Sequence, residues 1–120
     1  MGIFSRQPVG VEPSLDADEV IRLRFDSGFQ FEESSHEVKG FSAVVVTNMA
    51  VRLRHRSGWR TIAFHDMPPH EFVSGMSVSL FSWNVSFFNS AANSYQMIRF
   101  FDKAAGEICG HAIARQLGLT

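Results

Sequence analysis

The sequence predicts a mainly β fold, in which a strongly bent antiparallel sheet or a partly open barrel is closed by one C-terminal helix. Two observations support this prediction. Segments that alternate apolar and polar residues fill most of Val20–Phe101. Helical periodicity begins only after Asp102, in DKAAGEICGHAIARQLG. A run of strands followed by one terminal helix favours a sheet folded on itself over repeated strand–helix–strand units.

Length and composition indicate one small domain with a real core. The chain has 120 residues, of which 45% are hydrophobic, enough to bury one apolar interior. We expect residues 1–13, with two prolines and two glycines, to form a loose lead-in and residues 14–120 to form the single domain. Phe is unusually frequent, with 12 residues, and its ring has no polar group, so it serves burial or an apolar contact surface.

Charge and cysteine content exclude several classes of protein. The net charge of −1 gives no general attraction to nucleic acid or to anionic membranes. The single Cys109 excludes an internal disulfide framework and fits a reducing compartment. No apolar run approaches the roughly 18 residues of a membrane span, and MGIFSRQPVG lacks the features of a secretory leader. We therefore expect a cytoplasmic protein with no transmembrane segment and no nucleic-acid partner.

The N-terminal half of the chain contains the clearest strand signals. A short helical turn capped by Ser14 precedes the first strand, and ESSHEVKG is expected to be a loop. FSAVVVT is apolar on both faces, which indicates a central strand. Ser57-Gly58 is a two-residue hairpin turn. The predicted strands are Val20–Phe25, Phe29–Glu32, Phe41–Thr47, Val51–Arg56 and Trp59–Phe64.

The C-terminal half is predicted to contain three further strands after the Pro68-Pro69 loop. They are Met76–Leu80, Phe81–Phe88 and Tyr95–Phe101. The apolar phase changes between Leu80 and Phe81, which indicates a bulge or a tight turn at that point. After the change, Phe81, Trp83, Val85 and Phe87 are expected to share one face.

The terminal helix has clear start and stop signals. Asp102 is its predicted N-cap, and Gly118 ends it where a left-handed residue is usual. Gly106 and Gly110 weaken the helix but allow close approach to a sheet. The predicted apolar stripe consists of Ala105, Ile108, Ala112, Ile113 and Leu117, while Glu107, His111 and Arg115 recur every four residues on another face.

Three segments of the chain form a recognisable pattern: VVVTNMAVRL, TIAFHDM and YQMIRFFDKAAGEICGHAIARQL. Together they resemble pleckstrin-homology-like domains of the bacterial PH or GRAM kind. VVVTNMAVRL (Val44–Leu53) is similar to their apolar strand, Thr-Asn turn and Arg-bearing strand. TIAFHDM and YQMIRFFDKAAGEICGHAIARQL are similar to their step into a loop and to their last strand and closing helix. The resemblance covers about residues 41–117 and implies an adaptor. Met49 replaces the usual Arg or Lys, and the phosphoinositide-binding Lys-x(n)-Arg-x-Arg loop has no clean counterpart.

A cluster of arginines around the hairpin is the first candidate site. Arg52, Arg54, Arg56 and Arg60 are close in sequence, whereas residues 1–40 carry four basic and eight acidic side chains. The guanidinium group suits bidentate contact with phosphate or carboxylate, so the cluster could bind an anionic headgroup or an acidic partner. The alternative is a solvated strand face that pairs internally with the acidic N-terminal segment.

The aromatic strand region is the second candidate site. Phe81, Trp83, Val85, Phe87 and Phe88 exceed what a thin sheet necessarily buries. They are either core, or part of them, with Trp83 and Phe88 as the candidates, contacts another copy of the chain or a partner.

No stretch carries a recognised catalytic or cofactor-binding signature, and we predict no catalytic, cofactor-binding or metal-binding residue. Cys109 and His111 are two apart on a helix and point to different faces, so they cannot act as a nucleophile–base pair. His65, Asp66, His70 and Glu71 have metal-competent side chains, but their spacing is not diagnostic of a metal.

These observations favour a non-enzymatic PH-like module that binds a protein partner or itself, with an anionic lipid headgroup as a weaker alternative. Two other classes stay open. One is a small enzyme or ligand-binding barrel built around Arg60, His65 and His70, which requires an open apolar cavity. The other is a subunit of a phage or secretion assembly, in which exposed strand edges form rings.

Overall fold

The computed structural model describes residues 8–77 and 81–120, in which the chain forms nine strands and one α-helix. The strands are β1 (Ile21–Phe25), β2 (Phe29–Glu33), β3 (His36–Val38), β4 (Phe41–Thr47), β5 (Ala50–His55), β6 (Gly58–Ala63), β7 (Val73–Ser77), β8 (Ser82–Asn89) and β9 (Ser94–Phe100). The helix α1 (Lys103–Gln116) follows β9, and two 3-10 turns, Phe64–Asp66 and Pro69–Glu71, lie between β6 and β7. The predicted order of strands followed by one closing helix is confirmed.

The strands form two antiparallel sheets, and bends in the chain connect one sheet to the other. The first sheet has the order β1-β4-β5-β6 and the second β3-β2-β9-β8-β7. The chain passes from the first sheet to the second between β1 and β2, and returns between β3 and β4. Gly40, with φ +97°, makes the second bend, where a Cβ would lie 2.7 Å from the Nε2 atom of His55. In the described residues the sheets do not close on each other, so the prediction of a partly open barrel is confirmed.

The space between the two sheets is filled by apolar side chains. Alternate residues of each strand point inward, as the period of two requires. The fully or nearly fully buried set includes Val44, Val46, Val51, Leu53 and Ile62 of the first sheet, Phe31, Val85, Phe87, Ile98 and Phe100 of the second, and Cys109 and Ile113 of the helix. Four further phenylalanines, Phe25, Phe29, Phe41 and Phe72, pack against this set. Much of the phenylalanine content is therefore core.

The helix buries a face built on glycine. Its buried residues are Gly106, Cys109, Gly110 and Ile113, whereas Ile108 is 53% exposed. The prediction that Ile108 belongs to the buried stripe was therefore wrong. A Cβ at Gly106 would lie 2.3 Å from the Cβ of Trp83, so the helix backbone itself lies against β8. Residue 108 is two positions further and points away from that contact, because successive residues turn by about 100°.

Both ends of the helix agree with the predictions. The side chain of Asp102 accepts a hydrogen bond from the backbone N–H of Ala104, 3.2 Å away. Gly118 has φ +75° directly after the last turn. The helix is thus bounded by the cap and stop residues that its sequence contains.

Four local predictions differ from the structure. In place of the helical turn capped by Ser14 there is a single tight turn, in which the backbone N–H of Glu19 donates to the carbonyl of Asp16 at 3.1 Å. ESSHEVKG, predicted as a loop, contains β3, a short strand at the end of its sheet, where polar side chains such as Glu37 stay in water. The strand predicted at Met76–Leu80 is β7, three residues earlier, and Leu80 lies outside the described residues. Phe81 has φ +53° and is 82% exposed, so a turn is present there but Phe81 does not share the inward face of Val85.

Candidate functional site

The four arginines predicted as one basic cluster are distributed over different surfaces. Arg52 and Arg54 point to the outer face of the first sheet, opposite Thr61 and Trp59 respectively. Arg56 lies in the β5–β6 turn, outside the strand. Arg60 is opposite the buried Leu53, and so belongs to the other face of the sheet. Alternation along a strand Val51–Arg56 would place Arg52, Arg54 and Arg56 on one face, with Arg60 across the turn. This holds for Arg52 and Arg54, but β5 ends at His55 and Arg56 is outside it.

Arg52 forms an internal ion pair with Glu19. Its Nε donates to one carboxylate oxygen of Glu19 at 2.8 Å, and its Nη2 donates to the other at 2.5 Å. Its Nη1 donates to the hydroxyl of Thr61 at 2.8 Å. The hydrogen bonds from Arg52, together with one from Thr47, lower the pKa of Glu19 to about 2 against the opposing effect of burial. The same contact raises the pKa of Arg52. Because Glu19 precedes β1, the pair also anchors this segment to the first sheet.

Residues 9–11 lie over the outer face of the first sheet through their backbone. The carbonyl of Val9 accepts from Arg54, that of Gly10 from the indole nitrogen of Trp59 at 2.8 Å, and that of Val11 from Arg24 at 2.7 Å. This cover explains why β4 is apolar on both faces. Its outward residues Ala43 and Val45 are 1% and 0% exposed. Residues 1–7 of the expected lead-in lie outside the described part of the chain.

Arg56 and Arg60 are the exposed members of the predicted set. The guanidinium of Arg60 lies 5.2 Å from the ring centre of Phe41. The side chain of Arg56 passes beside Gly40, so both cations are near the bend between β3 and β4. Among the described residues, neither has an acidic partner within ion-pair distance.

The metal-competent side chains of the proline loop pair with their sequence neighbours. His65 lies 3.5 Å from Asp66, and His70 lies 3.8 Å from Glu71. Both histidines are exposed. Within residues 8–77 and 81–120, no three His, Cys, Asp or Glu side chains are grouped closely enough to hold a metal ion.

A groove of about 890 Å³ lies between α1 and the end strands of the two sheets. Its walls are Arg22 and Leu23 of β1, Ser74 of β7, Trp83 of β8, and most residues of 107–116 in α1. Among the described strands, β1 and β7 each have a strand neighbour on one side only. The groove therefore follows the open seam between the sheets, beside two strand edges.

The floor of the groove is apolar and its aromatic residue is held in place. Trp83, predicted as a contact residue, packs against Gly106 and donates its indole N–H to the hydroxyl of Ser74 at 2.8 Å. Leu23 and Ala112 are partly buried beside it, and Ile108 is exposed. The second predicted contact residue, Phe88, is not in the groove. It stacks edge-on with Tyr95 on the outer face of the second sheet, 4.9 Å between ring centres.

Sequence reasoning found part of this site. The recurrence of Glu107, His111 and Arg115 every four residues marked a polar helix face, and all three side chains line the groove. Arg22 and Leu23 were missed, because nothing local in the sequence shows that β1 lies beside α1. Ile108 was missed as a site residue because it was assigned to the core.

Comparison with solved structures identifies the fold. The structure is similar to the Vps36 N-terminal PH domain, with a TM-score of 0.72 and 12% sequence identity over 94% of this chain and 92% of that one. The PH-like fold predicted from the sequence is thus confirmed. No protein-family model and no curated protein sequence matches the chain. No helix in the described residues is long and apolar enough to cross a membrane.

Proposed function

We propose that this PH-like domain is a non-enzymatic interaction module that binds a segment of a partner protein in the groove between β1, β7 and α1. The observation that carries the proposal is the groove itself, whose lining includes the exposed Ile108 and the half-buried Trp83. Its volume of about 890 Å³ suits several side chains of a peptide. An exposed large apolar residue beside a fixed aromatic ring is typical of a contact surface.

The position of the groove also favours a peptide ligand. β1 and β7 end their sheets, and an end strand presents backbone N–H and C=O groups that an extended segment can pair with. Side chains of that segment would reach the apolar floor formed by Leu23 and Ala112. Backbone pairing and a shaped apolar floor together supply affinity and selectivity.

The enzyme alternative has less support. It required a cavity inside the sheets with polar groups converging on it, and the described interior is filled by apolar side chains. Cys109 is fully buried, and burial raises the pKa of its thiol to about 12, so it stays protonated and unreactive at neutral pH. The polar groups named in that alternative, Arg60, His65 and His70, are all exposed.

The anionic-headgroup alternative now depends on Arg56 and Arg60 alone. Arg52 and Arg54 use their donors on Glu19 and on the backbone of Val9. Two separate exposed cations offer a headgroup much less than a cluster of four, so we place the main binding site in the groove.

Selection from a random peptide display library tests the proposal. The wild-type protein should enrich peptides that share apolar positions, and the enriched peptides should lose binding at least about tenfold in Ile108→Glu, because the charge occupies the apolar floor. Phe101→Glu is the matched control, since Phe101 is also exposed (58%) and lies outside both the groove and its end strands β1 and β7. Enriched peptides that bind wild type and Ile108→Glu equally would place the site elsewhere and contradict the proposal.

A further inference from the structure

We infer that the partner segment is acidic and carries apolar side chains, an inference that rests on the proposed function and names the chemistry of the ligand. It comes from the two surfaces of the groove. The floor is apolar, and the rim carries cations that have no carboxylate partner within the described part of the chain.

The rim cations are Arg22 and Arg115. Arg22 is exposed on β1, the end strand of the first sheet, and Arg115 is exposed in the last turn of α1. Neither lies within 4.0 Å of a carboxylate among the described residues. Arg22 thus lines the groove from β1 and Arg115 lines it from α1, and both side chains are exposed.

The acidic residue among the described residues that line the groove has a cationic neighbour within the helix. Glu107 lies 3.6 Å from Lys103, one helical turn before it. His111 lies between Glu107 and Arg115 on the same helical face and also lines the groove. The rim is thus net positive, and an acidic segment is complementary to it.

The arginines of the domain differ in whether they have an acidic partner. Arg24 contacts Glu12 and Asp26, and Arg99 contacts Glu32 at 2.9 Å. Arg22 and Arg115 have no such partner among the described residues, and both line the groove beside its apolar floor. An acidic ligand in the groove would therefore meet two cations that are not already paired.

The floor restricts the ligand further. The only polar group of the Trp83 side chain, its indole N–H, is used by Ser74. The ring therefore offers an apolar surface with no free donor, beside Leu23, Ile108 and Ala112. A segment that fits must place apolar side chains on this floor and acidic side chains against the two arginines.

Three pools of synthetic 12-residue peptides test the inference. All pools have the same randomised apolar residues at the centre, and their flanks are acidic (Asp and Glu), neutral (Ser and Asn) or basic (Lys and Arg). Binding to the wild-type protein is measured by fluorescence anisotropy. We expect the acidic pool to bind at least about tenfold more tightly than the neutral pool, and to weaken by a similar factor from about 50 to about 500 mM NaCl.

Charge reversal supplies the decisive comparison. Arg115→Glu and Arg22→Glu should each shift the preference from the acidic towards the basic pool, which loss of folding would not produce. Arg56→Glu is the matched control, because Arg56 is an exposed arginine outside the groove, and it should leave the preference unchanged. Circular dichroism confirms that each variant is folded.

The outcomes separate the two proposals. Equal binding of all three pools, lost in Ile108→Glu, would overturn the acidic ligand and leave the peptide groove intact. Binding of none of the pools would overturn both. Wild-type protein that forms dimers by light scattering, when Ile108→Glu does not, would assign the groove to a second copy of the chain and would also overturn the acidic segment.

Discussion

Arg52 and Glu19 form a buried, bidentate ion pair that joins the middle of β5 to the segment before β1, 33 residues earlier in the chain. Both side chains lie under the outer cover of the first sheet, with Arg52 9% and Glu19 0% exposed. Thr47 and Thr61 complete the hydrogen bonding of the pair. The pair therefore fixes the segment that precedes β1 to the first sheet.

Removing Arg52 should destabilise the protein strongly. Arg52→Ala leaves the Glu19 carboxylate buried without a cation, and we expect a loss of about 3–5 kcal/mol in the free energy of unfolding. Arg56→Ala, at an exposed position in the adjacent turn, should change it by less than about 0.5 kcal/mol. Urea denaturation of the two variants measures the difference. Equal midpoints for both variants would mean that the pair does not hold the fold.

Stability should depend on pH through Glu19. Its folded pKa of about 2 is below its usual 4.5, so the ionised carboxylate stabilises the folded state above pH 4.5, and this contribution is lost as the pH falls to about 2. At pH 7 it amounts to about 3 kcal/mol. We expect Glu19→Gln to be less stable than wild type at neutral pH and to approach it near pH 2. A difference that is constant over this range would exclude Glu19 as the titrating group.

Replacing a helix glycine by alanine should here lower the stability of the protein, although the same change usually raises it. Alanine normally stabilises a helix by about 1 kcal/mol relative to glycine. A Cβ at Gly106 would lie 2.3 Å from the Cβ of Trp83, which cannot move without its backbone, so we expect Gly106→Ala to destabilise by about 2 kcal/mol or more. Gly75→Ala is the control, since a Cβ there has no neighbour within 4 Å. Thermal unfolding distinguishes them, and a stabilised Gly106→Ala would contradict the packing.

Two isoleucines of the helix should respond differently to the same change. Ile113 is 0% exposed, so Ile113→Glu places an unpaired charge in the core and should lower stability by more than about 4 kcal/mol. Ile108 is 53% exposed, and Ile108→Glu should stay within about 0.5 kcal/mol of wild type. Chemical denaturation provides both values. A large loss in Ile108→Glu would assign Ile108 to the core and remove the exposed floor of the groove.

Self-association is predicted to use the outer face of the second sheet. Phe88 and Tyr95 stack there, and Tyr95 is 58% exposed, so a second copy could cover apolar area that water otherwise contacts. Phe88→Arg should then give a folded species of lower mass by light scattering. Trp83→Arg does not test this prediction, because Trp83 packs against Gly106 of the helix and not on that outer face. A wild-type protein that stays monomeric over a roughly hundredfold range of concentration would refute the prediction.

The sequence alone predicted the features that depend on neighbouring residues. The alternation along β5, the Ser57-Gly58 turn and the start of α1 at Asp102 are written in residues a few positions apart. The order of these elements was enough for the PH-like architecture. The prediction that Phe81 points inward was wrong, because Phe81 lies in a turn with a positive φ. Strand alternation in a sequence does not reveal such a turn.

Long-range packing decided what the exposed faces do. Alternation showed that Arg52 and Arg54 leave the core, but not that residues 9–19 cover that face and use both side chains. The register of the hairpin placed Arg60 on the other face. Each of these relations joins residues that are distant in sequence or depends on the turn between them.

The candidate site is determined at two levels. The sequence by itself determined that a helix containing glycines closes the sheets, and it left Trp83 open between the core and a contact surface. Only the tertiary structure decided which helix face is buried, because backbone-to-side-chain contact at Gly106 and Gly110 outweighs the larger apolar area of Ile108. That choice leaves Ile108 in the groove beside β1 and β7, two strands that residues 26–72 separate in sequence and that the bend of the sheets brings to the same groove.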